Sequence, residues 1–157
     1  MIRIGLGYDL HVLEAGKKLL LGGVHIPFEK GEKAHSDGDV LLHAITDALL
    51  GAAALGDIGE LFPPSDNKWK DADSKKLLQI AWQKILAEGW VIENIDCVIV
   101  IEKPKILPFR KKIIESIADI LTIQSDCVFV KAKTAEGLGA IGASEAVAAL
   151  VTALLKK

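Results

Sequence analysis

Four stretches of the chain carry apolar residues at helical spacing, which predicts helices over 38–55, 74–88, 110–121 and 144–155. The third stretch has one apolar stripe, formed by Ile113, Ile114, Ile117, Ile120 and Leu121. The fourth has a similar stripe, formed by Val147, Leu150, Val151, Leu154 and Leu155. Each predicted helix therefore has one face to bury.

Four further stretches are rich in β-forming residues, and we expect strands over 2–12, 18–27, 91–102 and 127–134. The first two flank the turn-forming residues 14–17 and look like a hairpin pair. The order of elements, with a late β-α-β stretch that needs a crossover, predicts an α/β or α+β fold with a mixed four-stranded sheet covered by helices. We expect one domain over residues 1–157, because no linker or repeat divides the chain.

The composition of the chain excludes few classes of function. The 157 residues include 19 basic and 21 acidic ones, a net charge of −2, so nothing favours nucleic acid or an anionic membrane as a partner. The first residues do not resemble a signal peptide, and no apolar run approaches the roughly 20 residues of a membrane helix, so we expect a cytoplasmic protein. Cys97 and Cys127 lie singly in apolar segments, and we expect both to be buried and reduced.

Two histidines and an aspartate form a candidate metal site. Asp9 and His11 are two apart on a predicted strand, so both side chains leave the same face. His43 lies on the polar side of the first helix, with Asp39 and Asp47 one turn away as residues that could orient it. This ligand set is typical of catalytic zinc sites. The alternative is a pair on an edge strand and a solvated helix histidine.

The segments around this helix also have two interpretations each. Ser36 or Asp37 can cap the helix, or His35 and Ser36 can form an anion site beside the metal. The proline-rich and polar segment 61–71 is either a functional loop or a plain surface connection.

The end of the chain contains a glycine pattern and a polar cluster. Residues 137–142 match G-x-G-x-x-G, but the acidic ribose partner expected about 20 residues later is missing, so a flexible turn is favoured. Lys133 and Thr134 can bind phosphate oxygens, and Glu136 can hold a hard cation such as Mg²⁺. Residues 102–108 form a proline-stiffened turn, which can present backbone groups to a base edge or simply connect a strand to a helix.

Five motifs, taken in order, resemble the 2-C-methyl-D-erythritol 2,4-cyclodiphosphate synthase family from the first strand to the last predicted helix. They are Gly7-Tyr8-Asp9-Leu10-His11, Ala34-His35-Ser36-Asp37-Gly38-Asp39 with His43, Ala54-Leu55-Gly56-Asp57-Ile58-Gly59, Pro104-Lys105 and Lys133-Thr134-Ala135-Glu136.

The resemblance implies a phosphorus-oxygen lyase of the non-mevalonate route to isoprenoids. The implied reaction converts 4-diphosphocytidyl-2-C-methyl-D-erythritol 2-phosphate to 2-C-methyl-D-erythritol 2,4-cyclodiphosphate and CMP. The implied assembly is a homotrimer around a central core, with active sites between subunits. Asp9, His11 and His43 would bind Zn²⁺, and Glu136 would bind a second ion, Mg²⁺ or Mn²⁺. His35 and Thr134 would stabilise the transition state.

The resemblance also implies the substrate contacts. Those to the methylerythritol phosphate and its reacting groups would come from Asp9, His11, His35, Ser36, Asp57, Ile58, Gly59, Phe62, Pro63, Pro64, Ser65 and Asp66. Those to the cytidine diphosphate part, largely from the neighbouring subunit, would come from Ile101, Glu102, Lys103, Pro104, Lys105, Ile106, Leu107, Ala132, Lys133, Thr134, Ala135 and Glu136.

One segment departs from the family. Many members carry an aromatic residue and an arginine where this chain has Ala140 and Ala143, at positions that line a central channel able to bind an isoprenoid diphosphate. The resemblance does not extend to that property. Two other functions stay open: a catalytically silent metal- and nucleotide-binding protein on the same scaffold, and a metal-dependent phosphohydrolase.

Overall fold

The structure is a computed structural model that describes residues 1–34, 36–63, 65–69 and 71–157. The strands in this part of the chain are β1 (Ile2–Ala15), β2 (Leu19–Leu21), β3 (Val24–Ile26), β4 (Lys30–Lys33), β5 (Val91–Val100), β6 (Val128–Lys133) and β7 (Ala146–Lys156). The helices are α1 (Val40–Ala53), α2 (Ile58–Leu61), α3 (Ser74–Ala87), α4 (Arg110–Leu121) and α5 (Gly139–Gly142). Helices α1, α3 and α4 confirm three of the predicted helices.

The fold is a mixed α/β arrangement built on a five-stranded sheet in the order β4-β1-β7-β5-β6. The β1–β4, β1–β7 and β5–β7 pairs are antiparallel, and the β5–β6 pair is parallel through the α4 crossover. The prediction of four strands was therefore wrong by one strand, because β4 and β7 join the sheet and the 18–27 segment does not.

The predicted helix over 144–155 is wrong, because this segment forms β7, which lies between β1 and β5. Residues Ala146, Val147, Ala148 and Ala149 are all buried, so the segment is apolar on both faces at its start. An apolar run of this kind fits a buried helix and a central strand equally well. Pairing with two neighbouring strands overrides the helix propensity of its alanines.

The predicted hairpin between 2–12 and 18–27 is also wrong. Strand β1 continues to Ala15 and pairs with β4, while β2 and β3 form a separate two-stranded sheet. The turn between β2 and β3 is Gly22-Gly23, with φ of 62° and 78°. A two-residue turn with positive φ at both positions is a strong local hairpin signal, and it closes this segment on itself.

Helix α1 packs unusually close to β1. A Cβ atom added at Gly5 would lie 1.8 Å from the Ala48 carbonyl oxygen, and one at Gly7 would lie 1.9 Å from that of Ala44. Side chains alternate along a strand, so Gly5 and Gly7 share a face with Asp9 and His11. The two glycines thus bring α1, and with it His43, against the two polar residues of β1.

The opposite face of β1 is apolar and exposed. The side chains on it belong to Ile2, Ile4, Leu6, Tyr8, Leu10 and Val12, and each residue is 49 to 73% exposed. Exposed apolar patches of this extent mark interaction surfaces in soluble proteins.

The two cysteines differ in their surroundings. Cys97 is buried, and burial raises the pKa of its thiol to about 12, so it is an unreactive core residue. Cys127 is only partly buried, which corrects the expectation that both are core residues. Both are free thiols. Among the described residues no helix is long and apolar enough to cross a membrane.

Candidate active site

The candidate metal ligands Asp9, His11 and His43 lie together between β1 and α1. Asp9 Oδ2 is 2.9 Å from His11 Nε2 and 3.1 Å from His43 Nδ1. One ligand atom from each residue lies within 4.8 Å of the other two. Two imidazoles and one carboxylate so arranged are able to bind a divalent metal ion and leave a position open for a substrate atom.

Electrostatics keeps the carboxylate of this group ionised. Burial raises the pKa of Asp9, but the hydrogen bonds and charges of His11 and His43 outweigh burial and hold it well below its usual range. The three side chains are all partly buried. The group therefore offers a fixed anionic oxygen beside two nitrogen ligands.

Two serines hold the far side of the His43 ring. His43 Nε2 is 2.9 Å from Ser74 Oγ and 3.2 Å from Ser36 Oγ. Ser74 Oγ donates to Asp37, whose other oxygen accepts from the Ser74 amide. Since the Ser74 hydroxyl proton is used in this way, Ser74 Oγ accepts from His43 Nε2. His43 Nδ1, which faces Asp9 Oδ2 at 3.1 Å, is then the ring nitrogen directed into the ligand group.

Asp39 and Asp47 do not orient His43, contrary to the prediction from helix spacing. Asp39 caps α1, where its carboxylate accepts from the Leu42 amide and also from the amides of Gly22 and Gly23. Asp39 is therefore the N-cap of α1, where Ser36 or Asp37 was predicted. Asp47 accepts from the Ile58 amide and so fixes the start of α2. Both carboxylates accept hydrogen bonds from backbone amides, those of Asp39 including the turn between β2 and β3.

A cleft of about 380 Å³ opens beside the three ligands, and we call it the His43 cleft. The predicted substrate contacts that line it are Asp9, His11, Ser36, Ile58, Gly59 and Phe62. Asp57 caps α2 next to it, and Asp66 accepts from the Lys68 amide in the following turn. Pro63 and Ser65 do not line this cleft. His35 and Pro64 lie outside the described residues.

A second cleft, of about 270 Å³, lies where β5 and β6 end, and we call it the Thr134 cleft. Its lining contains nine predicted contacts: Ile101, Glu102, Pro104, Lys105, Ile106, Leu107, Ala132, Lys133 and Thr134. Three further predicted contacts follow lining residues in the sequence but do not line the cleft themselves: Lys103, Ala135 and Glu136. Glu136 lies beside Thr134, since Thr134 Oγ1 is 3.4 Å from Glu136 Oε1. Glu102 accepts from the Ala135 and Gly137 amides and ties the two loops together.

The two clefts are separate within one chain. Asp9 pairs with Ala149, Ala149 with Ile99, and Ile99 with Ala132, so three strand-to-strand steps divide them. At nearly 5 Å per step the separation is roughly 14 Å. The structure therefore does not bring Thr134 and Glu136 to the three candidate metal ligands of the same chain.

Two site residues were missed from the sequence. Ser74 appears in sequence as an ordinary residue at the start of a helix, and only packing against α1 places its hydroxyl on His43. Trp69 lines the His43 cleft and packs edge-on against Phe62, with ring centroids 4.8 Å apart. An aromatic residue in a polar loop is a weak signal that sequence analysis can use.

Known proteins are similar to this chain over nearly its whole length. Residues 2–156 match the model of the YgbB family. The protein named 2-C-methyl-D-erythritol 2,4-cyclodiphosphate synthase in Treponema denticola is 68% identical over 154 residues, which are 98% of this chain and 96% of that protein. The protein of that name in Neisseria gonorrhoeae is 52% identical over the same shares.

Solved structures show the same fold. The CDP-bound form of a 2C-methyl-D-erythritol-2,4-cyclodiphosphate synthase superposes with a TM-score of 0.91 at 40% identity, covering 98% of this chain and 100% of that one. The bifunctional IspDF from Campylobacter jejuni gives a TM-score of 0.96 at 45% identity. That match covers 99% of this chain and 42% of the bifunctional chain.

Proposed function

Because the chain belongs to the YgbB family, we propose that it converts 4-diphosphocytidyl-2-C-methyl-D-erythritol 2-phosphate to 2-C-methyl-D-erythritol 2,4-cyclodiphosphate and CMP. It would act in non-mevalonate isoprenoid biosynthesis, as a cytoplasmic phosphorus-oxygen lyase, with residues 1–157 as one domain. The observation that carries the proposal is the Asp9–His11–His43 group at the edge of a cleft. Neither nucleic acid nor a membrane is a partner in this proposal.

The ligand group fits a zinc ion. One carboxylate oxygen and two imidazole nitrogens within 4.8 Å of each other match the number and type of protein ligands in catalytic zinc sites. A bound zinc ion would supply Lewis-acid stabilisation of phosphate oxygens. Glu136, exposed next to Thr134, would hold the second ion, Mg²⁺ or Mn²⁺, with its carboxylate.

In the proposed reaction an oxygen of the 2-phosphate attacks the β-phosphorus of the diphosphate. The bond between that phosphorus and the bridging oxygen breaks, and CMP leaves with the oxygen. A phosphate monoester is already largely ionised near neutral pH, so no strong base is needed. The protein residues have to hold the two groups in line and neutralise charge.

The donors for this task line both clefts. Ser36 lies on the His43 cleft, and Lys133 and Thr134 lie on the Thr134 cleft. We assign transition-state stabilisation to Thr134 and to His35. Phe62 and Trp69 pack against each other in the wall of the His43 cleft, where they would exclude water that otherwise competes as the nucleophile.

A homotrimer would complete the site. The two clefts lie roughly 14 Å apart in one chain, whereas the substrate joins the nucleotide to the methylerythritol phosphate covalently. A site formed by the His43 cleft of one copy and the Thr134 cleft of another resolves this separation. The exposed apolar face of β1 supplies a surface on which copies can assemble.

The experiment is phosphorus NMR of the purified protein with the cytidyl diphosphate substrate, Zn²⁺ and Mg²⁺. Resonances of a cyclic diphosphate together with CMP are the expected result. A linear monophosphate product would instead identify a phosphohydrolase. Absence of conversion with the metals bound would identify a silent binding protein.

Two variants make the test specific for the metal group. His43→Ala should lose most of its bound zinc and at least 100-fold of the activity, because a ligand is removed. His25→Ala is the matched control, since His25 is exposed on β3 away from the three ligands. Full zinc content in His43→Ala would contradict the ligand assignment.

A further inference from the structure

Arg110, the first residue of α4, lines the Thr134 cleft without having a role in the proposed reaction. It lies in the cleft wall together with Leu107 and Val130. These residues are distinct from Thr134, which would contact the phosphates, and from Glu136, which would hold the second metal ion. Arg110 is partly buried, whereas the following residue, Lys111, points to solvent with 88% of its side chain exposed.

Strand geometry places Arg110 far from the phosphate end of the cleft. Val130 precedes Thr134 by four residues on extended backbone, which corresponds to roughly 13 Å at 3.3 Å per residue. The Arg110 guanidinium carbon lies over the neighbouring Phe129 ring, 5.4 Å from its centroid. A hydrogen bond spans about 3 Å, so a guanidinium held beside Phe129 does not reach a phosphate bound at Thr134.

Phe129 holds the guanidinium in this position. The ring is 49% exposed, so it forms an open platform on the edge strand β6. A guanidinium over an aromatic face is attracted by the negative potential of the ring. This contact restricts an otherwise flexible side chain before any ligand binds, which lowers the entropic cost of using it.

The guanidinium suits the nucleoside end chemically. It carries five N–H donors in one plane, and it has no acceptor. A cytosine presents a carbonyl oxygen and a ring nitrogen as neighbouring acceptors, and a planar guanidinium can donate to such a pair or stack on the base. Leu107 and Val130 give the cleft two apolar side chains beside Arg110, and the neighbouring cation Lys131 is paired with Asp96.

We propose that Arg110 is a further substrate-binding residue that contacts the cytosine nucleoside, and that Phe129 positions it through the contact between ring and guanidinium. This inference rests on the proposed function, since it takes the Thr134 cleft as the nucleotide site. It adds to that function a residue that determines affinity for the nucleoside half of the substrate.

Binding of cytidine, CMP and CDP to the metal-loaded protein tests the proposal. Calorimetry suits the two nucleotides, and an NMR titration suits cytidine. Arg110→Ala should weaken all three ligands by a similar factor, about 5- to 20-fold, because the lost contact is to the part that they share. Lys111→Ala, the neighbouring exposed cation, should stay within twofold. Unchanged affinity in Arg110→Ala, or a loss that grows from cytidine to CDP, would overturn the proposal.

Phe129 is tested by two substitutions that differ only in the ring. Phe129→Tyr keeps the aromatic face and should bind CMP as the parent protein does, whereas Phe129→Leu keeps apolar bulk and should bind several-fold more weakly. Equal affinity of the two variants would remove Phe129 from the proposal. Thermal melting of each variant checks that it is folded.

Kinetics separates this proposal from the proposed function. Arg110→Ala should raise KM for the substrate with kcat nearly unchanged, because the nucleoside contact is the same in the ground and transition states. If the parent protein forms no cyclic product, the proposed function fails, while the nucleotide affinities still decide the role of Arg110. A fall in kcat with KM unchanged would contradict a binding role.

Discussion

The orientation of His43 depends on a short chain of side chains. Asp37 accepts from the Ser74 hydroxyl, Ser74 Oγ accepts from His43 Nε2, and His43 Nδ1 faces Asp9. Each contact fixes the next, so the histidine presents one defined nitrogen to the ligand group. Residues that fix the tautomer of a metal-binding histidine influence metal affinity without touching the metal.

Ser74→Ala should weaken zinc binding by about 10- to 100-fold, because His43 Nε2 loses the acceptor that fixes its tautomer. Zinc affinity is measured by competition with a chromogenic chelator. Ser125→Ala, in the exposed turn Ser125–Cys127, is the control and should leave the affinity unchanged. Equal zinc affinity in both variants would show that Ser74 does not position His43.

Glu32 is a buried acidic residue in strand β4. Its Oε2 accepts from the Leu20 amide at 3.0 Å, and its Oε1 has no hydrogen-bond partner within the described part of the chain. Burial raises the pKa of Glu32 to about 9; the Asp39 charge adds to this, and the Leu20 amide opposes it. The folded protein therefore keeps a proton on Glu32 at neutral pH.

Glu32→Gln should flatten the pH dependence of the free energy of unfolding. In the parent protein the folded state binds this proton up to about pH 9, whereas the unfolded chain releases it near the ordinary pKa of 4.5. Stability from this group is therefore full below pH 4.5 and falls as pH rises toward 9, by up to about 1.4 kcal/mol per pH unit.

Urea unfolding at pH 6 and pH 9, at equal protein and zinc concentrations, measures this effect. The parent should lose more stability between the two values than Glu32→Gln. Glu29→Gln, which alters an exposed carboxyl nearby, should behave as the parent does. An equal loss in the parent and in Glu32→Gln would show that Glu32 does not hold the proton.

Among the secondary-structure elements, the contact between α1 and β1 brings the candidate metal ligands together. Gly5 and Gly7 leave no room for a side chain between strand and helix, as the 1.8 and 1.9 Å approaches of an added Cβ show. The ligand group draws on both elements, Asp9 and His11 from β1 and His43 from α1. Its geometry therefore depends on this spacing.

Gly7→Ala should force α1 away from β1, lowering the free energy of unfolding by about 2 kcal/mol or more and weakening zinc binding with it. Gly51→Ala is the matched control, because Gly51 lies in α1 with open space around its Cβ position. It should stabilise the protein by about 0.5–1 kcal/mol. Urea unfolding and zinc titration together check both variants, and normal zinc affinity in Gly7→Ala would contradict the role of the close approach.

At the scale of the whole molecule, the exposed apolar face of β1 and the separation of the two clefts point to assembly. The six apolar side chains on this face are directed away from α1, and they include Leu6 at 69% exposure. Within one chain the candidate metal ligands and the Thr134 cleft are three strand-to-strand steps, roughly 14 Å, apart. The proposed trimer accounts for both observations.

Leu6→Asp should dissociate the trimer, since it places a charge in the surface that copies would bury. Sedimentation velocity should show a monomer, and the synthase activity should fall at least 100-fold while the far-UV spectrum is retained. Leu86→Asp, a partly exposed apolar position on α3, is the control and should remain assembled. A trimeric Leu6→Asp with full activity would exclude this face as the interface.

Periodicity and motif spacing along the chain were sufficient to predict the local features of this protein. The apolar stripes predicted α1, α3 and α4, and the two-residue spacing of Asp9 and His11 placed both on one face of a strand. The ordered motifs identified the family, which the similarity over residues 2–156 confirms. These features depend on neighbours along the chain, so periodicity and residue type are sufficient to find them.

The long-range features became visible from the packing of the folded chain. Segment 144–155 has the pattern of a helix, yet two flanking strands make it β7, and no property of its own residues shows this. Helix spacing suggested Asp39 and Asp47 as partners of His43, whereas Ser74, 31 residues away, occupies that place. Packing between distant segments decides how strands pair and which side chains are in contact across the fold. A local pattern in one sequence does not contain this information.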